Sequence, residues 1–306
     1  MRLLSTLLAT LLLTLLLSGC ANSLFYFPDQ VDYEPRLKQP IPHEVVWMRS
    51  TDGASLFGWW MKAVGQPKAT VVFLHGNAQN LTAHASFVDW LPAAGYNVLI
   101  VDYRGYGLSV GSPTRKGVLA DARTAYFFAL EQKGATPDRM ILLGQSLGGA
   151  NALTLAGRER LPGLKAVVVD SPFSNYGRIG REKMLQIPVL GYLLWPFSPL
   201  IVSSGLSPDQ TVQDIAPVPL LLMAGNKDII VPSSHSQRLY DKAGSPKLLW
   251  MLPEGGHTDA LGRLRGEVLP RLQQFLDYAL SGDVTRLDPR DQASLAGGAL
   301  APKPLH

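Results

Sequence analysis

Three residues of this chain have the types and the order that nucleophilic attack on a carbonyl needs. Ser146 stands in Gly144-Gln145-Ser146-Leu147-Gly148, Asp228 in Gly225-Asn226-Lys227-Asp228, and His257 in Glu254-Gly255-Gly256-His257. A serine hydroxyl is a weak nucleophile at neutral pH. It needs a base to take its proton, and the base needs a carboxylate to orient it and stabilise its charge. The chemistry of such a set is acyl transfer through an acyl-enzyme that water then hydrolyses. Asp170, at the end of "VVVD", is the alternative acid. Asp259 reads as a cap for the helix after His257. Among the other histidines, His43 precedes a hairpin, His84 and His235 fall on helical stretches, His75 reads as a holder of its own loop, and His306 is terminal.

The Gly-x-Ser-x-Gly pattern alone is weak, because composition produces it by chance. The chain holds a second match, Gly107-Leu108-Ser109-Val110-Gly111. Context separates the two. A nucleophile of this kind sits on a sharp turn directly between a buried strand and a helix. Ser146 has "MILL" before it and "LGGANALTLAGRER" after it. Ser109 follows "DYRGYG" and precedes Ser112-Pro113, so it reads as a loop residue. Acyl transfer also builds negative charge on the carbonyl oxygen, which preorganised main-chain N–H groups must meet. Leu147, next to the nucleophile, is one expected donor. The other is expected from the loop after "VVFL", at Asn77, with Ala78 as the neighbouring alternative.

These residues need a scaffold that ends several strands at one edge. "HEVVWMRS" and "SLFGWWMKA" flank Thr51-Asp52-Gly53, an Asp-Gly hairpin signal. From residue 69 the chain alternates short apolar runs ("ATVVFL", "YNVLIV", "RMILLGQ", "LKAVVVD", "VPLLLMA", "KLLWML") with helical stretches at roughly 80–93, 115–133, 147–158, 233–243 and 259–280. That rhythm predicts a mostly parallel sheet with helices on both faces, opened by the antiparallel hairpin. Residues 172–212 break it. They include Leu193, Leu194, Trp195, Phe197 and Leu200 and read as a short apolar lid near the strand ends.

Of the 306 residues, 46% are apolar and 17% charged, with a net charge of +4, which suits a folded chain. No run of five or six basic residues points to nucleic acid. At the N-terminus, Arg2 is followed by the leucine-rich stretch Leu3–Leu17 and then by Leu17-Ser18-Gly19-Cys20. The apolar run is shorter than the roughly 20 residues that cross a bilayer, and the pattern predicts a secretory signal over 1–19. Cys20 is the single cysteine and resembles the acylated cysteine of a bacterial lipobox. Lipidation there would anchor the exported protein to a membrane, with Ala21 leaning toward the outer membrane in a Gram-negative cell. Residues 20–43 then read as a tether, 44–280 as the domain and 281–306 as a flexible tail.

In sequence order, "LHGNAQN", "DYRGYGLS", "GQSLGG", "GNKD" and "GGH" resemble the α/β-hydrolase superfamily across residues 44–280. The resemblance is to its ABHD-type and serine-aminopeptidase-like branch. It implies an α/β-hydrolase fold with an eight-stranded, mostly parallel sheet and neither metal nor organic cofactor. It also implies a carboxylic ester or thioester substrate of acyl or lipid character. Where that branch often has His-Gly before the acid, this chain has Ala224-Gly225. A peptidase or amidase on the same residues, and a tethered binding protein without catalysis, are the competing expectations.

Overall fold

The computed structural model describes residues 25–37, 39–187 and 202–297. In chain order its strands are β1 (Phe27–Pro28), β2 (Glu44–Arg49), β3 (Ser55–Met61), β4 (Ala69–Leu74), β5 (Ala78–Gln79), β6 (Tyr96–Val101), β7 (Met140–Gln145), β8 (Leu164–Asp170), β9 (Leu220–Gly225) and β10 (Lys247–Leu252). Its α-helices are α1 (Leu81–His84), α2 (Arg115–Leu130), α3 (Leu147–Arg158), α4 (Tyr176–Leu185), α5 (Ser234–Lys242), α6 (Arg265–Ser281) and α7 (Pro289–Gly297).

Eight strands form one sheet in the order β10-β9-β8-β7-β4-β6-β3-β2. The β2–β3 hairpin is antiparallel and β3 pairs antiparallel with β6; every other pairing in that sheet is parallel. Alternating side chains explain the two cores. Val72 and Leu74 of β4, with Leu99 and Val101 of β6, join the apolar cluster under α2 and α3. Val71, Phe73, Val98 and Ile100 point the other way, into the cluster under α1 and α6. Each such burial stabilises the fold by about 1.5–3 kcal/mol relative to an exposed side chain. The mostly parallel sheet is the one expected from the apolar runs, and its eight strands make the α/β-hydrolase architecture that the resemblance implies.

Three local expectations are corrected. The stretch 80–93 is not one long helix. After α1 it passes into a 3-10 turn at Ala85–Phe87. Trp90 Nε1 donates to the Phe87 carbonyl at 3.2 Å, and Pro92 disfavours helical backbone at the residue before it. Likewise, α6 starts at Arg265 rather than 259, because Asp259 accepts from the Gly256 N–H and shapes a turn instead. Finally, residues 281–297 are not a loose tail. In α7 the buried Asp291 accepts from Trp250 Nε1 at 3.0 Å and pairs with Arg271, so the helix packs on β10 and α6.

The lid stretch is described only at its two ends, as α4 and from Val202 onward. Leu193, Leu194, Trp195, Phe197 and Leu200 lie outside the described residues, as do Cys20 and the signal segment. Among the described residues, no helix is long and apolar enough to cross a membrane.

Candidate active site

Ser146 occupies the turn between β7 and α3 with φ 51° and ψ −114°, a conformation that a non-glycine residue rarely adopts. The flanking glycines explain how it is held. A Cβ at Gly148 would stand 1.9 Å from the Leu74 carbonyl oxygen, and one at Gly144 would stand 2.5 Å from that of Gly148. Only glycine lets α3 come down this close to the strands. The Ser146 N–H donates to the Asp170 carbonyl at 2.8 Å, which fixes the turn to the neighbouring strand.

The three candidate residues meet at the strand ends. Ser146 Oγ lies 3.0 Å from His257 Nε2, and His257 Nδ1 lies 2.7 Å from Asp228 Oδ2. A carboxylate only accepts, so Nδ1–H donates to Asp228 and Nε2 is left as the acceptor for the serine hydroxyl. The other Asp228 oxygen, Oδ1, accepts from the N–H groups of Ile230 and Val231, both at 2.8 Å. The loops after β9 and β10 are tied together by Asn226 N–H to Leu252 O at 2.9 Å and Lys227 N–H to Gly255 O at 2.8 Å. Gly225 permits this, since a Cβ there would be 2.3 Å from the Gly255 oxygen.

Facing Ser146 is the loop His75–Asn80. A Cβ built on Gly76 would be 3.9 Å from Ser146 Cβ, so the loop backbone abuts the nucleophile. Two of its residues are cross-braced from below. Tyr103 O–H donates to the His75 carbonyl at 3.0 Å, and Tyr106 O–H donates to the Asn77 carbonyl at 2.7 Å. Among the described residues, the main-chain N–H groups of Asn77 and Leu147 have no acceptor. The Leu147 N–H is one of the first-turn donors that a helix leaves unpaired. Serine, imidazole, carboxylate and unpaired donors together are what acyl transfer requires.

Comparison with known proteins agrees with this geometry. A family model described as serine aminopeptidase, S33 matches residues 65–215. The uncharacterized protein YfhR of Escherichia coli (strain K12) is 37% identical over 265 residues, covering 85% of this chain and 88% of that protein. This chain belongs to the α/β-hydrolase superfamily. Human alpha/beta hydrolase domain-containing protein 17B is 27% identical over 258 residues, covering 83% of the chain and 82% of its own length. A Pyrococcus furiosus esterase, Pf2001, shares the fold with a TM-score of 0.65 at 22% identity, covering 84% of this chain and 98% of its own.

The remaining candidates in the hydrolase have structural places. Ser109 is buried; its Oγ donates to the Asp102 carbonyl and accepts from the Phe57 N–H, bracing a turn. Asp170 is fully buried, and burial pushes its carboxyl up to about 7. It accepts from Ser171 Oγ at 3.1 Å and from the Leu261 N–H at 3.3 Å, so it supports the loop that carries His257. His43 stacks on Trp59 at 3.7 Å. His235, also buried, accepts from the Ser174 N–H and contacts Glu182, joining α5 to the base of α4. Among the described residues, no group of three or more His, Cys, Asp or Glu side chains is arranged to hold a metal ion.

Sequence reasoning missed Tyr106, and it read Phe25, Tyr26 and Phe27 only as tether residues that pack on the domain or the membrane face, without their tie to the site loop. Their contacts with the site loop span 29 to 51 residues, with no periodicity to reveal them. The local hints were the tyrosine pair in "DYRGY" and the aromatic run Phe25-Tyr26-Phe27.

Proposed function

We propose that the hydrolase is a membrane-anchored serine hydrolase that cleaves carboxylic ester or thioester bonds of acyl, lipid-like substrates. The observation that carries this reading is the chain of contacts Ser146 Oγ, His257 Nε2, His257 Nδ1, Asp228 Oδ2 at 3.0 and 2.7 Å. His257 takes the Ser146 proton as Oγ attacks the carbonyl carbon. Asp228 stabilises the resulting imidazolium. The N–H groups of Leu147 and Asn77 meet the oxyanion. His257 then protonates the departing alkoxide or thiolate, and water attacks the acyl-enzyme by the same route.

Anchoring rests on the lipobox-like Leu17-Ser18-Gly19-Cys20, with an acyl chain such as palmitate on Cys20 and export to the periplasmic side. The acyl, lipid-like character of the substrate is supported by the apolar composition of the lid stretch, with Leu193, Leu194, Trp195, Phe197 and Leu200. A second reading, hydrolysis of peptide bonds, is favoured by the family model, whose description is that of an aminopeptidase.

Fluorophosphonate labelling of wild type beside Ser146→Ala tests the nucleophile. Label that vanishes in the variant supports it, and a folded wild type that takes no label overturns it. Turnover of an acyl-ester chain-length series beside aminoacyl arylamides then decides between the two readings. Faster arylamide cleavage would replace the ester reading with the peptidase one.

A further inference from the structure

We infer that residues 25–33 are a positioning strap for the oxyanion loop, and that the hydrolase needs this segment for turnover rather than only as a tether. The inference rests on the reading of Ser146 and Asn77 given above.

The segment is built into the site from one side. β1 pairs in parallel with β5, Phe27 opposite Ala78 and Pro28 opposite Gln79. The Phe27 N–H donates to Asn77 Oδ1 at 3.2 Å, the same oxygen that Tyr106 O–H reaches at 3.0 Å. The Asn77 side chain is thus committed to the strap and to Tyr106, and its main-chain orientation follows from both. Gln79 next to it has φ 65°, a left-handed conformation that a non-glycine residue keeps only under external constraint. The pairing with Pro28 is such a constraint.

Asp29 is the fixed point of the strap. Its carboxylate accepts from Asn80 Nδ2 at 2.8 Å and from Tyr33 O–H at 2.7 Å, and its carbonyl accepts from the Gly107 N–H at 2.8 Å. Asn80 also donates to the Val31 carbonyl at 2.8 Å, and the Tyr33 N–H donates to Thr82 Oγ1 at 3.0 Å. At the other end Tyr26 is buried and Phe25 packs edge-on against Tyr176, with ring centroids 5.5 Å apart, at the start of α4. One segment therefore grips both the oxyanion loop and the base of the lid stretch.

A donor displaced by an ångström loses much of its effect on the transition state and little of its effect on substrate binding. The test uses the full-length protein, a p-nitrophenyl acyl ester, and the variants Asp29→Ala, Asp29→Asn, Asn77→Ala and the double variant Asp29→Ala/Asn77→Ala. Asn77→Ala keeps the main-chain donor and removes only its side-chain ties. The expected result is a kcat lower by roughly 10- to 100-fold in each alanine variant, with KM unchanged. Asp29→Asn, whose amide oxygen still accepts from Asn80 while its NH2 can donate to the Tyr33 hydroxyl oxygen, should keep most of the activity. The double variant should be no worse than the worse single one, because both act on one loop. Thermal melting reports whether each variant is folded, and if Asp29→Ala does not fold, Asn77→Ala decides. Wild-type kcat in folded alanine variants, or losses that multiply, would overturn the strap. Turnover by wild type that survives Ser146→Ala would instead overturn the functional reading, and the strap with it.

Discussion

Tyr106 O–H donates to the carbonyl of Asn77 at 2.7 Å and to its side-chain oxygen at 3.0 Å, the oxygen that also accepts from the Phe27 N–H of β1. Burial raises the Tyr106 phenol well above its ordinary range, so it stays a donor at any working pH. Tyr106→Phe should therefore leave the half-buried Asn77 oxygens short of a partner. A stability loss of about 1–3 kcal/mol is expected. Steady-state kinetics should place the activity loss in kcat, and a loss confined to KM would separate Tyr106 from the oxyanion loop.

Of the carboxylates near His257, Asp228, Asp170 and Asp259, it is Asp228 that faces its Nδ1. Asp228→Asn should lower kcat on the order of 10³–10⁴-fold, because the amide no longer holds the imidazole in the needed tautomer. Asp170→Asn should keep kcat at the same order as wild type. The Asp170 carboxyl is held at about 7 in the folded protein against 3.8 ordinarily. The folded state therefore keeps the proton longer, and stability from this group is lost as pH rises from about 3.8 to about 7. Melting curves of Asp170→Asn should lack that component. Equal kinetic damage in both variants would give Asp170 the orienting role instead.

His84 titrates in the opposite sense. Burial, reinforced by the neighbouring His75 ring, holds it down at about 4, and its Nε2–H donates to the Ala78 carbonyl at 3.0 Å. The unfolded chain takes the proton first, near its ordinary 6.5. The contribution of His84 is thus present above about 6.5 and lost as pH falls from about 6.5 toward 4. His84→Gln should melt with a shallower acid dependence than wild type. Identical slopes would place the acid sensitivity elsewhere, with the buried His235 the next group to replace.

Ser109 provides the internal control for the second Gly-x-Ser-x-Gly match. Ser109→Ala removes a bridge between Asp102 O and the Phe57 N–H, at an expected cost of about 1–3 kcal/mol. Fluorophosphonate labelling should persist in full. Lost labelling in a folded Ser109→Ala protein would reopen the choice between the two serines.

The sheet and the meeting of Ser146, Asp228 and His257 were legible because each depends on local patterns. Apolar runs marked the buried strands, and each candidate residue lies at or within a short loop of the end of one of them. Gly144 and Gly148 were legible for the same reason, as the positions where α3 nearly touches β7 and β4 respectively. The strap was not legible. Residues 25–33 carry no strand or helix period, and their order comes from Asn77, Asn80, Thr82 and Gly107, far along the chain. The same holds for α7, whose place is set by the burial of Asp291 against Trp250 and Arg271. The length of α1 failed for a different reason, as Trp90 and Pro92 redirected the backbone.

The docking of Phe25 on Tyr176 sets a leash length. Only four residues separate Phe25 from Cys20, and five peptide steps span at most about 18 Å. With Cys20 acylated as proposed, Phe25 and the start of α4 on which it packs would stay within about 18 Å of the lipid-bearing residue, which keeps the domain beside the membrane surface. Encounter would then become a problem in two dimensions, where a weakly bound substrate lying in the same leaflet is present at an effective concentration far above its bulk value. Such a hydrolase would tolerate a high KM, and its selectivity would be set as much by which molecules reach that surface as by the shape of the site.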